Sequence, residues 1–146
     1  MTQIQIEAPE VREVLVIRDR TPYEALNATG LKKYVVNDAV RLMPRGKGKK
    51  VKLVFFHLRT FVTHQVLKQE YALRKLKPAD PYSLAAANEA EPTLIDKRPN
   101  CTHWQGANGR WYSATFSVSK DKERSVCVVE NGVGFNDFWW YAGIPE

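Results

Sequence analysis

Three runs near the C-terminus decide the fold: Trp111-Tyr-Ser-Ala-Thr-Phe-Ser-Val118, Ser125-Val-Cys-Val-Val-Glu130 and Asp137-Phe-Trp-Trp-Tyr-Ala142. Each is rich in aromatic or β-branched residues, and the spacers Ser119-Lys-Asp-Lys-Glu123 and Asn131-Gly-Val-Gly134 are built of turn formers. Such runs punctuated by short polar turns predict an antiparallel meander. Because side chains alternate faces along a strand, Trp111, Ser113 and Thr115 oppose Tyr112, Ala114 and Phe116, and the adjacent Trp139 and Trp140 point to opposite sides. One of that pair then lies outside the main core, a candidate for stacking on a base, a sugar or a partner's apolar surface. The plainer alternative is a helix or loop that covers it.

Working outward, Val51-Lys-Leu-Val-Phe-Phe-His-Leu58 is the clearest strand in the chain, and Glu13-Val-Leu-Val-Ile-Arg18 reads as another. Thr21-Pro22 sets a capping hydroxyl before a proline at the first helical position, predicting a short helix from Tyr23 to Ala28 that ends at Gly30. Tyr34-Val-Val36 reads either as a strand or as the lead into a helix capped by Asn37. Thr63 caps a predicted helix running to Leu76, with Val66, Leu73 and Leu76 on its apolar stripe and Lys68 and Lys75 on the wet side. Pro78 stops it, and Asp80-Pro81 opens a second helix that must end before Pro92, the two forming a corner. Residues 91–109, with Pro92, Pro99, Asn100, Gly106, Asn108 and Gly109, read as a long irregular connection. The expected architecture is a single α+β domain over 1–146, with a mainly antiparallel sheet of about five strands and two or three helices.

At 146 residues the chain is long enough for one sizeable core, and 44% hydrophobic against 26% charged residues excludes a disordered or fibrous protein. No apolar run approaches the roughly 18 to 20 residues of a spanning helix. Met1 to Glu10 lacks the basic start and apolar stretch of an export signal, so a cytoplasmic protein with Cys101 and Cys127 reduced and no membrane partner is expected.

Charge is unevenly distributed along the chain. Residues 1–78 carry 16 Lys+Arg against 7 Asp+Glu, and residues 79–146 carry 6 against 9. Between Lys32 and Lys77, 13 basic residues face only Asp38 and Glu70. Such a field attracts phosphates or acidic protein surfaces over about 8 Å at physiological salt. The loop Arg45-Gly-Lys-Gly-Lys-Lys50 concentrates it, with Lys52 on the adjoining strand. Its glycines precede a strand, not a helix, so it is no Walker loop. The bland reading is a solvated turn whose lysines discourage edge-to-edge strand pairing.

Asn100-Cys-Thr-His-Trp104 sets a thiol and an imidazole two residues apart, on one face of a strand-like path. Nucleophilic catalysis would need the imidazole within reach of the sulfur and a third group to orient it. A zinc site would need Cys101, His103, Cys127 and either His57 or His64 gathered by tertiary folding that spacing does not indicate. A partly buried loop cysteine is the default, with His57 a sheet-face histidine and His64 a first-turn helix residue. The acceptor-like Asn27-Ala-Thr29 and Asn100-Cys-Thr102 are chance matches without export, and no carboxylate pair shows catalytic spacing.

Across roughly residues 50–143, the words Leu76-Lys-Pro-Ala-Asp-Pro-Tyr82, Asn88-Glu89, Pro99-Asn100, Thr102-His-Trp104, Gly109-Arg-Trp111, Trp139-Trp140 and Ala142-Gly143 resemble a pattern in small uncharacterised bacterial proteins from environmental or mobile-gene sequences. That resemblance implies no activity, cofactor or site residue.

The expected function is therefore that of a non-enzymatic binding protein whose partner is nucleic acid or an acidic protein. Arg45, Lys47, Lys49, Lys50 and Lys52 would make the electrostatic contacts, with Trp139 or Trp140 as a stacking or interface group; no metal or cofactor is implied. Two other classes stay open. One is a small-molecule-binding protein or enzyme with a pocket between the aromatic C-terminal sheet and the 91–109 loop, and the other is a homo-oligomeric accessory protein joined through its aromatics.

Overall fold

The computed structural model describes residues 8–146, so most of the N-terminal stretch read for an export signal lies outside the described residues. In chain order the elements are β1 (Glu10–Leu15), α1 (Pro22–Asn27), β2 (Lys32–Val35), α2 (Asn37–Arg41), β3 (Lys50–His57), α3 (His64–Leu73), β4 (Leu76–Pro78), α4 (Pro81–Ala90), α5 (Leu94–Lys97), β5 (Asn100–Gln105), β6 (Trp111–Val118), β7 (Arg124–Glu130) and β8 (Trp140–Pro145). The class is α+β on a single sheet. The count differs from the expectation: eight strands and five helices among the described residues, and a mixed sheet, because β5 runs parallel to β8 and β2 parallel to β7.

The sheet order is β1-β3-β8-β5-β6-β7-β2, with β4 added to the distal half of β8. The expected meander exists one strand earlier than predicted, as β5-β6-β7. β8 leaves it and inserts between β3 and β5, pairing Val54 with Gly143 and Asn100 with Trp140. The route is fixed by a turn: Gly134 sits at φ +138° with its Cα so close to the Val62 carbonyl that a Cβ would lie 2.1 Å from that oxygen. Only glycine allows Phe135 to form its bridge to Val62 there.

Residues 91–109 are not one long loop: α5 and β5 lie within them, and the turn that joins β5 to β6 is confined to 106–110. Pro92 and Pro99 bracket the short α5, and Asn100 to Trp104 is then buried at every position, the pattern of a strand covered on both faces. Such a strand lacks the polar alternation by which sequence reveals an exposed one.

Helices cover both faces. On one, α1, α2, α4 and α5 bury Leu26, Val40, Leu84 and Leu94 against Leu53, Phe55, Ala114 and Phe116. α4 is buried from Pro81 to Asn88, as a helix apolar on all sides must be, and Asp80 caps it by accepting from the Ser83 amide at 2.9 Å. The α1 prediction holds, with Thr21 and Glu24 closing a capping box. Both readings of 34–36 were partly right: β2 ends at Val35 and α2 follows, but Val36, not Asn37, is the residue before the helix.

On the other face stands α3, with Leu67 and Tyr71 packed on Phe56, Cys101 and Tyr141. Its apolar stripe is not the predicted one. His64, Leu67 and Tyr71 face the sheet, while Val66 and Leu73 are 43% and 75% exposed. Lys75, in the left-handed region at φ +55°, breaks the helix, so Leu76 is buried from β4, which also separates α3 from α4 where a helical corner was expected. No helix among the described residues is long and apolar enough to cross a membrane.

Candidate functional site

The first candidate is the basic loop. Arg18 organises it from inside, donating through its guanidinium to the carbonyls of Arg45, Lys47 and Gly48 at 2.8, 2.8 and 2.9 Å. The same guanidinium meets Asp80 at 2.8 Å and Ser83 at 3.1 Å. Gly46, at φ +68°, lies so close that a Cβ would stand 2.4 Å from the Asp80 carboxylate. Loop carbonyls thus point inward and lysine side chains outward. This is not a cradle of backbone amides for phosphate.

The predicted basic residues divide. Arg45 turns back into the fold, stacking on Tyr82 at 5.0 Å and donating to the carbonyls of Arg18 and Arg20. Lys47, Lys50 and Lys52 line one open groove of about 630 Å³, joined by Lys77 from β4. Lys49 is exposed beside it. Lys50 pairs with Glu13 at 2.7 Å, whereas Lys47, Lys52 and Lys77 have no ion pair among the described residues. Arginines instead staple the molecule: Arg12 to Glu91, Arg20 to Glu89, Arg98 to Glu10 and Arg124 to Asp96. Arginine charge is therefore largely paired within the fold, while Lys47, Lys52 and Lys77 stand without an ion pair among the described residues in the groove.

Trp139 and Trp140 do point to opposite faces. Trp139 packs toward the α3 side against Phe138 at 4.8 Å, and Trp140 packs on the other side, stacked on His57 at 5.3 Å with the Arg98 guanidinium at 5.1 Å. Both are half-buried. Trp140 pairs with His57, five residues along β3 from Lys52, so about 16 Å of strand separates the tryptophans from the groove.

The second candidate joins residues 39 apart in sequence. His64, at the start of α3, and His103, on β5, approach Nδ1 to Nδ1 at 2.9 Å with rings stacked 5.1 Å apart. Trp111 lies over both, at 4.9 Å from His64 and 4.5 Å from His103, and Phe135 closes the edge. Both imidazoles are almost fully buried, and neither Nε2 has a hydrogen-bond partner. Burial lowers both pKa values, that of His103 to about 3 with help from the neighbouring His64 and Lys68 charges. The pair is neutral at pH 7.

His103 and Trp111 also wall a cavity of about 340 Å³, together with Lys68, Asp80 and Trp104. The sequence words around 76–82, 102–104 and 109–111 meet there. Sequence reasoning missed this constellation: His64 carries no signal beyond its place after a capping threonine, and His103 was assigned to a loop.

Cys101 shares the His103 face of β5 but is fully buried, and burial pushes its thiol pKa well above the usual range. It remains a thiol, unsuited to nucleophilic attack. Cys127 stands across Thr115 from Cys101 in the sheet register, and no three His, Cys, Asp or Glu side chains gather in metal-binding geometry among the described residues. Comparison with known proteins gave no match to any family model, curated protein or solved structure.

Proposed function

We propose that this protein is a non-enzymatic binding protein that takes the phosphate backbone of a nucleic acid along the lysine groove. The observation that carries the reading is the convergence of Lys47, Lys50, Lys52 and Lys77 on one groove, three of them without an ion pair among the described residues. A rigid rim favours such a role, because Arg18 and Asp80 hold the loop and little ordering entropy remains to be lost on binding. Lysine suits the task, acting as a point charge that releases condensed counterions from phosphate without reading sequence.

The test is fluorescence anisotropy on short single- and double-stranded DNA and RNA. Four phosphate contacts predict an affinity that falls about 100-fold between about 50 and 200 mM salt. Lys47→Ala, Lys52→Ala and Lys77→Ala together should flatten that slope by about three contacts. Unchanged affinity in the triple variant overturns the reading. Polyglutamate competing as strongly as nucleic acid would move the partner to an acidic protein surface.

A further inference from the structure

A cavity of about 500 Å³ opens on the α3 side of the sheet, between the end of α3 and strand β3. That volume is ordinary for a small-molecule site. Pro9, Val54, Leu76 and Pro145 give it aliphatic walls. Phe56 closes it, but the ring is only 4% exposed and is already packed by Arg74 at 4.3 Å, Tyr71 at 5.1 Å and Tyr141 at 5.6 Å. No ring face is left for stacking, so the walls take a saturated chain and not an aromatic plane.

Arg74 supplies the polar end. Its guanidinium lies over Phe56, and its Nη1 donates to the Glu70 carbonyl at 2.9 Å, with the Glu70 carboxylate at 3.4 Å. Nε and Nη2 have no hydrogen-bond partner among the described residues. Those two donors share the edge of the guanidinium that a carboxylate grips with two parallel bonds. Held by the ring and the carbonyl, the group has little side-chain freedom left to lose on binding. Lys75 adds a second cation to the wall, without an ion pair among the described residues. It stands at φ +55°, where glycine is the ordinary residue after a helix. The other polar walls do not offset this: His57 donates from Nε2 to the Asp137 carbonyl at 2.6 Å, and Glu146 is the one acid among the lining residues. We propose that this cavity binds a medium-chain aliphatic monocarboxylic acid, its carboxylate on Nε and Nη2 of Arg74 beside Lys75 and its chain along Val54 and Leu76. The site adjoins the lysine groove at Pro145 but shares none of its lysines, so the inference does not rest on nucleic-acid binding.

Octanoate is the probe, with hexanoate shortening the chain, octanol removing the charge and benzoate replacing the chain by a ring. Calorimetry should give saturable octanoate binding with Kd below about 1 mM, and the other three compounds each about 10-fold weaker. In nitrogen–proton spectra the Nε–H resonance of Arg74 should move with octanoate and stay in place with octanol. Arg74→Gln should remove the preference for octanoate over octanol. Lys75→Gly fits the left-handed backbone and so keeps the fold; it should weaken octanoate about threefold and leave octanol unchanged. Lys47→Ala should change neither. No saturable binding by about 10 mM, equal affinity for octanoate and octanol, or a preference unchanged in both Arg74→Gln and Lys75→Gly overturns the proposal.

Discussion

The two faces of this sheet solve opposite problems. On the face under α1, α2, α4 and α5, apolar side chains interlock, and the deepest polar groups there are paired with each other: Asn88 and Asn100 exchange amide hydrogen bonds at 2.8 and 3.2 Å. The face under α3 carries His64, His103 and Tyr141, whose Nε2 atoms and hydroxyl are buried without a partner, and on the face under the four helices the buried polar atoms without one among the described residues are Nε1 of Trp104 and Nε of Arg98. The contrast teaches where each kind of selection acts. The reciprocally paired amides of the first face help to specify the fold, whereas the unmet histidine and tyrosine atoms of the second cost it stability.

The sharpest way to break this comparison is at the face under the four helices. Leu53 is completely buried between β1 and β8, and Leu53→Ala removes its packing and leaves a cavity. A loss of about 3 to 4 kcal/mol in urea unfolding is expected. Next comes the amide pair: Asn100→Leu strands the Oδ1 of Asn88 in the core and should cost about 2 to 3 kcal/mol, with Asn88→Leu added to it recovering part of that loss. A single Asn100→Leu that costs nothing would show that the pair is not the specifying device described.

How much of this was legible in the sequence follows the same division. Thr21-Pro22, Thr63 and Asp80-Pro81 announced three helix starts, because a cap and a proline act within one turn and need no tertiary partner. The strand from Val51 was equally plain, and so were the opposed faces of Trp139 and Trp140. What failed depended on distant pairing. β5 is buried on both faces and sits behind Pro99, so it imitates a loop, and the position of β8 is set by its contacts with β3 and β5 and by a Gly134 turn whose shape depends on the distant Val62 carbonyl. The histidine pair failed with them, since it exists only once β5 is recognised as a strand facing α3. For the lysine groove, sequence supplied Lys47, Lys50 and Lys52 but not Lys77, which arrives through β4, and it overcounted Arg45, whose guanidinium is used internally.

A third measurement sharpens the comparison through pH. The pKa of His103 in the folded protein is about 3, against about 6.5 when unfolded, so below pH 6.5 the unfolded chain binds a proton that the folded one refuses. Stability is then complete above pH 6.5 and is lost as pH falls toward 3. Between pH 7 and pH 5 the loss from His103 is roughly 2 kcal/mol, and His64, lowered in the same direction, adds to it. Denaturant titrations across that range check it. A flat profile would mean that the imidazoles ionise freely and are not sealed under Trp111.

The smallest expected effect is the most diagnostic. Replacing both histidines, His64→Leu with His103→Leu, removes the 2.9 Å hydrogen bond but also removes two buried nitrogen atoms that have no partner. A net hydrogen bond contributes about 1 kcal/mol and an unmet buried polar atom costs about as much or more, so the double variant should lie within about 1 kcal/mol of the parent at pH 7.5, or above it. It should also lose most of the acid sensitivity. Substitutions this drastic on the other face would unfold the protein, as Leu53→Ala begins to do. If the double variant is instead destabilised like Leu53→Ala, the histidines are part of the core's own design and the division between the two faces fails. If it is as stable as the parent, the fold does not require the pair, and the unmet nitrogens cost about as much as the hydrogen bond between the rings contributes.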